Sequence, residues 1–316
     1  MKPTLSVIIP AFNEQEVLEE SFARLASVMA GIGEPYELIF VNDGSRDGTR
    51  DILRRLARSH SGVRALHFSR NFGQQSATTA GLAAARGDAM IIIDCDLQDP
   101  PEVIPDMVKK WREDGFDIVY GKRSKRDGET ALKKLTSWGF YRTLNALSGF
   151  STPEDTGDFR LMNRASVDAF LSMPERNRFL RGMFAWIGFR QGEVLFHRDK
   201  RLAGETKYSY GKMIRLALDG MISFSMKPLS MVLGLGALLS AVGGIWLLVL
   251  GILALAGRGG LPVPTLAALM LFLSGLIISS LGVVAAYVGR TYDETKGRPL
   301  YIVAQRDGFD EEEGTR

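Results

Sequence analysis

The fold is decided by the stretch Ala89-Met90-Ile91-Ile92-Ile93-Asp94-Cys95-Asp96-Leu97-Gln98-Asp99-Pro100-Pro101-Glu102. Its apolar, mainly β-branched beginning predicts a buried strand at Met90–Asp94. Two carboxylates one residue apart, Asp94 and Asp96, stand where that strand ends. Ligands of open α/β sheets bind at the carboxyl ends of the strands, and carboxylate oxygens suit a hard divalent cation that can also hold a diphosphate. The stretch therefore predicts a site for a cation and a phosphorylated ligand.

Predicted strands and helices alternate around this stretch. The strands are Leu5–Pro10, Tyr36–Val41, Val63–Phe68, Met90–Asp94 and Phe116–Tyr120. The helices run from the Pro10–Glu14 loop to about Met29, over Thr49–Arg58, from Gly73 through Ala85, and onward from Pro100. This alternation with short connections predicts an α/β fold with a mostly parallel sheet flanked by helices on both faces.

Several classes of function are disfavoured by the sequence. It has neither the G-x-G-x-x-G motif of dinucleotide-binding proteins nor the G-x-x-x-x-G-K-[ST] motif of P-loop enzymes. The net charge of +3 is too small to favour a nucleic-acid partner. The single cysteine, Cys95, cannot form an intrachain disulfide and is interpreted as a small buried hydrophobe in a reducing compartment. The apolar run Leu5–Phe12 is too short for a signal peptide, and none is expected.

Two long uncharged stretches occupy the last third of the chain. Thirty residues separate Lys227 from Arg258, and 31 residues separate Arg258 from Arg290. Each exceeds the roughly 20 residues that span a bilayer. They predict a two-helix transmembrane hairpin with helices at about 229–256 and 265–289; a buried helical hairpin of a soluble protein is the alternative. Basic residues flank the outer ends of the hairpin, which predicts an integral protein of the inner (cytoplasmic) membrane with both termini in the cytoplasm.

Several motifs, taken in order, resemble those of a known family. Pro10-Ala11-Phe12-Asn13-Glu14, Asn42-Asp43-Gly44-Ser45 and Asp94-Cys95-Asp96-Leu97-Gln98 resemble motifs of the family 2 glycosyltransferases, which have the Rossmann-like GT-A fold. Three later segments resemble the polyprenyl-phosphate branch of that family, which includes bactoprenol glucosyltransferases and dolichyl-phosphate mannose synthase. These segments are Asp155–Met162, Arg201–Tyr208 and Lys296–Tyr301.

The resemblance covers nearly the whole chain and implies four parts. Residues 1–208 form a cytoplasmic GT-A domain, and residues 209–227 form an amphipathic helix in the membrane interface. Residues 228–290 hold the two transmembrane helices, and residues 291–316 form a cytoplasmic tail. Small residues in the hairpin allow close helix packing, which leaves a homo-oligomer open; they are Gly234, Gly236, Gly243, Gly244 and Gly275.

The resemblance also implies roles on the donor side of a site. The residues that match nucleotide-binding positions are Pro10, Asn13, Glu14, Asp43 and Asp94. The residues that match metal ligands, for Mg²⁺ or Mn²⁺, are Asp94, Asp96 and Gln98. Asp43 has an alternative role as an acid that caps a turn. Asp99 and Glu102 are alternatively helix-start acids, which is the preferred interpretation of Glu102.

Roles on the acceptor side and in catalysis follow from the same resemblance. The residues that match acceptor-phosphate positions are Arg123, Lys133, Ser137, Arg201 and Lys207. Solvated surface residues or contacts with anionic lipid are the alternative for the basic residues among them. Asp155 and Asp158 lie in the loop where the fold places its base, and Asp96 completes the predicted catalytic set.

The implied reaction is an inverting, metal-dependent transfer of one sugar from a nucleotide sugar to a polyprenyl phosphate at the membrane. UDP-glucose is the expected donor, with GDP-mannose or a UDP-amino sugar as alternatives. Two other classes remain open at this point. One is a phosphotransferase with Asp94 as nucleophile, and the other is a non-catalytic membrane assembly subunit.

Overall fold

The computed structural model describes residues 3–96, 98–123, 156–197, 227–256 and 263–309. The strands are β1 (Leu5–Ala11), β2 (Tyr36–Asn42), β3 (Val63–Phe68), β4 (Ala89–Ile92), β5 (Ile118–Arg123), β6 (Thr156–Asn163), β7 (Gln191–Phe196) and β8 (Val303–Asp307). The helices are α1 (Leu18–Ile32), α2 (Thr49–Ser59), α3 (Gln74–Ala84), α4 (Ile104–Glu113), α5 (Arg164–Ser172), α6 (Leu180–Trp186), α7 (Lys227–Leu255) and α8 (Val263–Thr295). A 3₁₀ turn, Pro101–Val103, precedes α4.

These strands form one mixed sheet in the order β7-β5-β6-β4-β1-β2-β3-β8. Neighbouring strands from β4 to β3 pair in parallel, as do β5 and β7. The predicted α/β class with a mostly parallel sheet is therefore confirmed. Two predicted bounds shift by about two residues. β4 ends at Ile92 because the chain then leaves the ladder toward the two carboxylates, and β5 begins at Ile118.

An antiparallel strand in the middle of the sheet is absent from the sequence-based prediction. β6 lies between β4 and β5 and runs opposite to both. Because it is antiparallel, its amino-terminal end lies at the edge where β4 and β5 have their carboxyl ends. The fold thereby brings the 156–158 segment, distant in sequence, to the end of β4.

Both faces of the sheet are buried. Val7 and Ile9 of β1 point into a cluster that includes Leu25 of α1 and Ile104 of α4. The intervening Ile8 points to the opposite face, as the alternation of side chains along a strand requires. That second cluster also contains residues of α3, α5 and α6. Burial of both faces explains why β1 and β4 have nearly continuous apolar sequences.

The two long C-terminal helices coincide with the two predicted apolar spans. α7 has 29 residues and α8 has 33. Within the described part of the chain, one segment, Phe272–Thr295, is long and apolar enough to cross a membrane, and none of it is buried inside the protein. The core helix of a soluble protein would be mostly buried, so this finding disfavours the buried-hairpin alternative for α8. That both helices span a bilayer stays a prediction.

Substitution of Gly81 would test how tightly α3 packs on the sheet. A Cβ at Gly81 would overlap Ile8 Cγ2 and lie 3.2 Å from Val41 Cγ2, whereas a Cβ at Gly31 in α1 would meet nothing within 4 Å. We expect Gly81→Ala to destabilise the domain by about 1–2 kcal/mol, because overpacking outweighs the better helix propensity of alanine. Gly31→Ala should stabilise it by up to about 1 kcal/mol. Thermal unfolding of the detergent-solubilised chain measures both, and equal increases in Tm would contradict this packing.

Candidate active site

The functional residues predicted from the sequence, as far as they are described, meet at one edge of the sheet. The loops that follow β1, β2 and β4 leave from this edge, and these three strands are neighbours in the order β4-β1-β2. β5 ends there at Arg123, and β6 begins there two residues before Asp158. The carboxyl ends of parallel strands are the usual position of a ligand site in an α/β sheet.

The loops after β1 and β2 are joined through Asn13. Its backbone adopts a positive φ of 55°, a conformation that asparagine tolerates better than most residues. The Asn13 N–H donates to Ser45 Oγ at 2.9 Å, and Asn13 Oδ1 accepts from the Arg46 N–H at 2.9 Å. The Glu14 N–H donates to Thr49 Oγ1, also at 2.9 Å. Asn13 therefore shapes the loops, and direct contacts of Asn13, Glu14 and Pro10 with a nucleotide stay predictions.

Asp43 joins the loop after β2 to the loop after β3. Its Oδ1 accepts from the Phe72 N–H at 2.6 Å, and its Oδ2 accepts from the Gly73 N–H at 2.9 Å. Burial raises the pKa of Asp43, and these two hydrogen bonds lower it by less. The turn itself is capped by the preceding residue, since Asn42 Oδ1 accepts from the Ser45 N–H. Asp43 is thus not the turn-capping acid that the alternative interpretation describes.

Asp94 and Asp96 lie just beyond the end of β4, where negative charge is crowded. Asp94 Oδ1 accepts from Gln74 Nε2 at 2.7 Å, and Asp96 Oδ1 accepts from the Gln98 N–H at 3.2 Å. Removal from water raises the pKa of Asp94 to about 7, with added repulsion from Asp158, Asp99 and Asp96. The end of β4 is therefore a place where a cation would be stabilised.

Asp158 lies near Asp94 at the same edge of the sheet and is paired with an arginine. Ile92 of β4 pairs with Arg160 of β6, and beyond this pair the charge of Asp158 is close enough to raise the pKa of Asp94. Asp158 Oδ1 accepts from Arg181 Nε of α6 at 2.9 Å. Burial raises the pKa of Asp158, but the guanidinium groups of Arg181 and Arg160 outweigh burial and hold the pKa below its usual value. Asp158 is therefore an ionised, anchored carboxylate.

Arg123 and Asp99 form a second pair of opposite charges near the start of β6. Arg123 Nη2 lies 3.7 Å from Asp99 Oδ1, and the Asp99 side chain is only 2% exposed. A Cβ at Gly157 would lie 3.1 Å from Arg123 Nη2, so glycine at this position lets the guanidinium approach the strand. Asp99 is thus a partner of Arg123, while Glu102 is the expected helix-start acid and pairs with Arg24 on the surface.

Comparison with known protein families identifies the family of this chain. The sequence profile named Glycosyl transferase family 2 matches residues 6–171, which is more than half of the 316 residues. The chain belongs to glycosyltransferase family 2. The profile includes the strand ends that carry Asp43, Asp94, Asp96 and Asp158. The GT-A-like fold expected from the sequence is confirmed, and the non-catalytic and phosphotransferase alternatives are set aside.

Relatives of this glycosyltransferase match it over nearly its full length. It is 45% identical over 306 residues to an uncharacterized glycosyltransferase of Bacillus subtilis, covering 96% of this chain and 94% of that one. It is 40% identical over 302 residues to a prophage bactoprenol glucosyl transferase homolog of Escherichia coli, with 95% and 98% covered. It is 39% identical over 305 residues to the bactoprenol glucosyl transferase of Shigella phage SfII, with 95% and 97% covered. These matches include the C-terminal helices.

The acidic groups of this glycosyltransferase fit a divalent cation that is shared with a bound ligand. Among the described residues, no three acidic, histidine or cysteine side chains form a preassembled metal cluster. The pKa of Asp94 is nevertheless raised by burial and by repulsion from other carboxylates. A nearby cation would favour the ionised form and so offset both effects. Carboxylate oxygens suit Mg²⁺ and Mn²⁺, and a Mg²⁺ site of one or two carboxylates is commonly completed by water and phosphate oxygens.

Much of the predicted acceptor side lies outside the described residues. The acceptor-phosphate residues outside them are Lys133, Ser137, Arg201 and Lys207, and the predicted catalytic residue Asp155 lies outside them as well. The predicted interfacial helix at 209–227 also lies outside them, apart from Lys227, which begins α7. The roles of these residues stay predictions.

Sequence reasoning missed three contacts of the predicted site residues. Gln74 donates to Asp94, Arg181 donates to Asp158, and Asp99 is the ion-pair partner of Arg123. Gln74 begins α3 directly after the Ser69–Gly73 loop, so its place at the sheet edge was predictable although its contact was not. Arg181 stands among the buried residues Leu180 and Met183 of α6. A single charge within such an apolar helix is the signal that could have identified it.

The Arg181–Asp158 pair should contribute more to the free energy of unfolding than an ion pair on the surface. The two side chains are 33% and 18% exposed, whereas those of Arg24 and Glu102 are 30% and 52% exposed. For Asp158→Asn combined with Arg181→Ala we expect a coupling of about 1–2 kcal/mol, because the Asp158 side chain is largely buried and each single change removes the same Nε–Oδ1 contact. The control cycle, Glu102→Gln with Arg24→Ala, should give less than about 1 kcal/mol. Denaturant unfolding measures both, and equal couplings would contradict the assignment.

Proposed function

We propose that this glycosyltransferase moves one sugar, glucose from UDP-glucose, onto a polyprenyl phosphate at the cytoplasmic face of the inner membrane. The observation that carries the proposal is the 39–40% identity to proteins named bactoprenol glucosyl transferases over 95% of the chain, apolar C-terminal helices included. A glycosyltransferase site attached to an apolar helix suits an acceptor that is itself held in the bilayer.

The donor is assigned to the ends of β1, β2 and β4. Asp43 serves the nucleobase side, with Pro10, Asn13 and Glu14 in the adjoining loop. Asp94, Asp96 and Gln98 would hold Mg²⁺ or Mn²⁺, which supplies Lewis-acid stabilisation of the charge on the departing nucleoside diphosphate. Gln74 fixes the Asp94 carboxylate through its 2.7 Å hydrogen bond.

The acceptor needs little help from a base. A phosphate monoester has a second pKa near about 6 and is mostly dianionic at neutral pH. Asp158 has a lowered pKa and is held by Arg181, properties that make it a poor proton acceptor. We assign it to positioning the sugar or the phosphate for inversion at the anomeric carbon. Asp155, its near neighbour in sequence, is assigned the same task.

Basic residues are assigned to the lipid phosphate. Arg123 is the described member of this set and lies at the end of β5, where Asp99 faces it at 3.7 Å. Lys133, Ser137, Arg201 and Lys207 complete the proposed acceptor site. GDP-mannose and UDP-amino sugars remain the alternative donors for the same reaction.

Identification of the lipid product tests the proposed reaction. The purified chain is incubated with Mg²⁺, a polyprenyl phosphate and, separately, UDP-glucose, GDP-mannose and UDP-N-acetylglucosamine. Mass spectrometry should show one hexose added with UDP-glucose. Asp96→Asn should reduce turnover roughly a hundredfold, because a metal ligand contributes several kcal/mol to the transition state. Asp106→Asn, on the exposed side of α4, is the matched control and should retain activity. A modified lipid in none of the reactions would refute the proposal.

Metal affinity should depend on the protonation of Asp94. The pKa of this carboxyl in the folded chain is about 7, and a metal ligand must be deprotonated. A proton therefore competes with the cation below pH 7. The apparent affinity for Mn²⁺ alone should fall roughly tenfold per pH unit between pH 6.5 and 5.5 and level off above pH 7.5. Electron paramagnetic resonance of free Mn²⁺ measures this. In Asp94→Asn the affinity should be lower and the dependence much weaker; an unchanged pH profile in that variant would exclude Asp94 as the titrating ligand.

A further inference from the structure

The chain returns from α8 to the catalytic domain and joins its sheet. β8 pairs antiparallel with β3, and the Ser69 N–H donates to the Ile302 carbonyl oxygen at 3.0 Å just beyond the paired residues. Since β8 is antiparallel, its amino-terminal end lies at the edge of the sheet that carries the site. Tyr301 and Ile302 are therefore neighbours of the loop after β3.

Three aromatic rings connect this returning segment to Asp43. The ring of Tyr301 stacks on Phe68, with centroids 5.1 Å apart and planes at 10°. Phe68 meets Phe72 edge to face at 5.7 Å. The Phe72 N–H donates to Asp43 Oδ1 at 2.6 Å, and the Gly73 N–H donates to Oδ2 at 2.9 Å. Tyr301 thus packs against the aromatic pair whose second member hydrogen-bonds Asp43.

Other residues of the segment make side-chain contacts with β3 and α2. His67 Nε2 lies 3.0 Å from Asp307 Oδ2, and Arg50 Nη2 donates to Gln305 Oε1 at 2.6 Å. Since the Asn42 side chain lies 3.1 Å from His67 Nδ1, the amide can donate to Nδ1 and leave the Nε2 proton for Asp307. These contacts hold the segment in register, so that Tyr301 has a defined position.

The end of α8 is attached to the domain as well. Glu294 Oε1 accepts from the Arg176 N–H at 2.8 Å, and Glu294 Oε2 lies 3.8 Å from Arg176 Nε. Arg176 precedes α6, the helix that carries Arg181. The end of α8 and the segment after it thus contact the domain at two places, Arg176 and β3.

We propose that the ring of Tyr301, held in place by the pairing of β8 with β3, is a positioning group for donor binding. The segment holds the loop after β3 so that its amides keep the Asp43 carboxylate aimed at the nucleobase, and it links α8 to the donor side of the site. The inference rests on the proposed function, because it takes Asp43 as a donor-binding residue.

Nucleotide binding by point variants tests the inference. Tyr301→Ala removes the stacked ring, whereas Tyr301→Phe keeps it. Ile302→Ala is the matched control, because that side chain is 51% exposed and its contact with Ser69 is made by the backbone. Titration with UDP-glucose should show Kd raised roughly fivefold in Tyr301→Ala, a typical effect of losing an aromatic pair. Kd in the other two variants should stay within about twofold of wild type, and KM for the lipid phosphate should not change in any variant.

The outcomes separate the inference from the proposed function. Unchanged donor Kd in Tyr301→Ala, with clearly weakened binding in Asp43→Ala, overturns the inference and leaves the function standing. If Tyr301→Ala does not fold, Tyr301→Leu carries the same expectation with an apolar side chain retained. If wild type binds no nucleotide sugar, the proposed function fails. Amide hydrogen exchange at Phe72 and Gly73 then tests whether Tyr301 stabilises the loop after β3. Faster exchange in Tyr301→Ala than in Ile302→Ala supports it, and equal exchange overturns it.

Discussion

Repulsion among carboxylates at the end of β4 is the constraint on which the site depends. Burial raises the pKa of Asp94 to about 7, with added repulsion from Asp158, Asp99 and Asp96. The protein relieves part of this repulsion with arginines, since Arg181 pairs with Asp158 and Arg123 lies near Asp99. The charge on Asp94 and Asp96 is left for a cation and the diphosphate that it would carry. Under the proposed function, this cluster of acids would favour a leaving group that carries a divalent cation.

The sheet topology creates this crowding. The two carboxylates follow the end of β4, and the antiparallel β6 brings Asp158 to the same edge, where its charge raises the pKa of Asp94. α6 then supplies Arg181 from the face of the sheet that it covers. Packing of that helix through Leu180, Met183 and Phe184 therefore sets the position of the ion pair. On the opposite side of β1, the loops after β2 and β3 are linked by Asp43 and supported by the segment that returns from α8. The segment after α8 thus contacts the part of the sheet from which the Asp43 loop leaves.

The parts of this architecture that could be predicted from the sequence are those encoded by local patterns. Apolar runs located β1 to β4, and the carboxylates directly after Ile93 located the edge of the site. The position of β6 could not be predicted, because pairing between residues 89–92 and 160–163 is a long-range choice that no local pattern encodes. The contacts of Gln74 and Arg181 depend on that pairing and on helix packing. Asp43 was identified as a site residue, but its two backbone hydrogen bonds became visible only with the loop after β3 in place.

The central claim is that the lipid phosphate attacks the sugar and the nucleoside diphosphate leaves intact. Its most direct test uses polyprenyl phosphate labelled with ¹⁸O in its phosphate oxygens, with mass analysis of both products. The expected result is that all of the label stays in the glycosylated lipid phosphate and that UDP is released without label. Release of UMP, or loss of ¹⁸O from the lipid phosphate, would show that a phosphoryl group is transferred or that a P–O bond breaks. Either result would contradict the roles assigned to Asp94, Asp96 and Asp158.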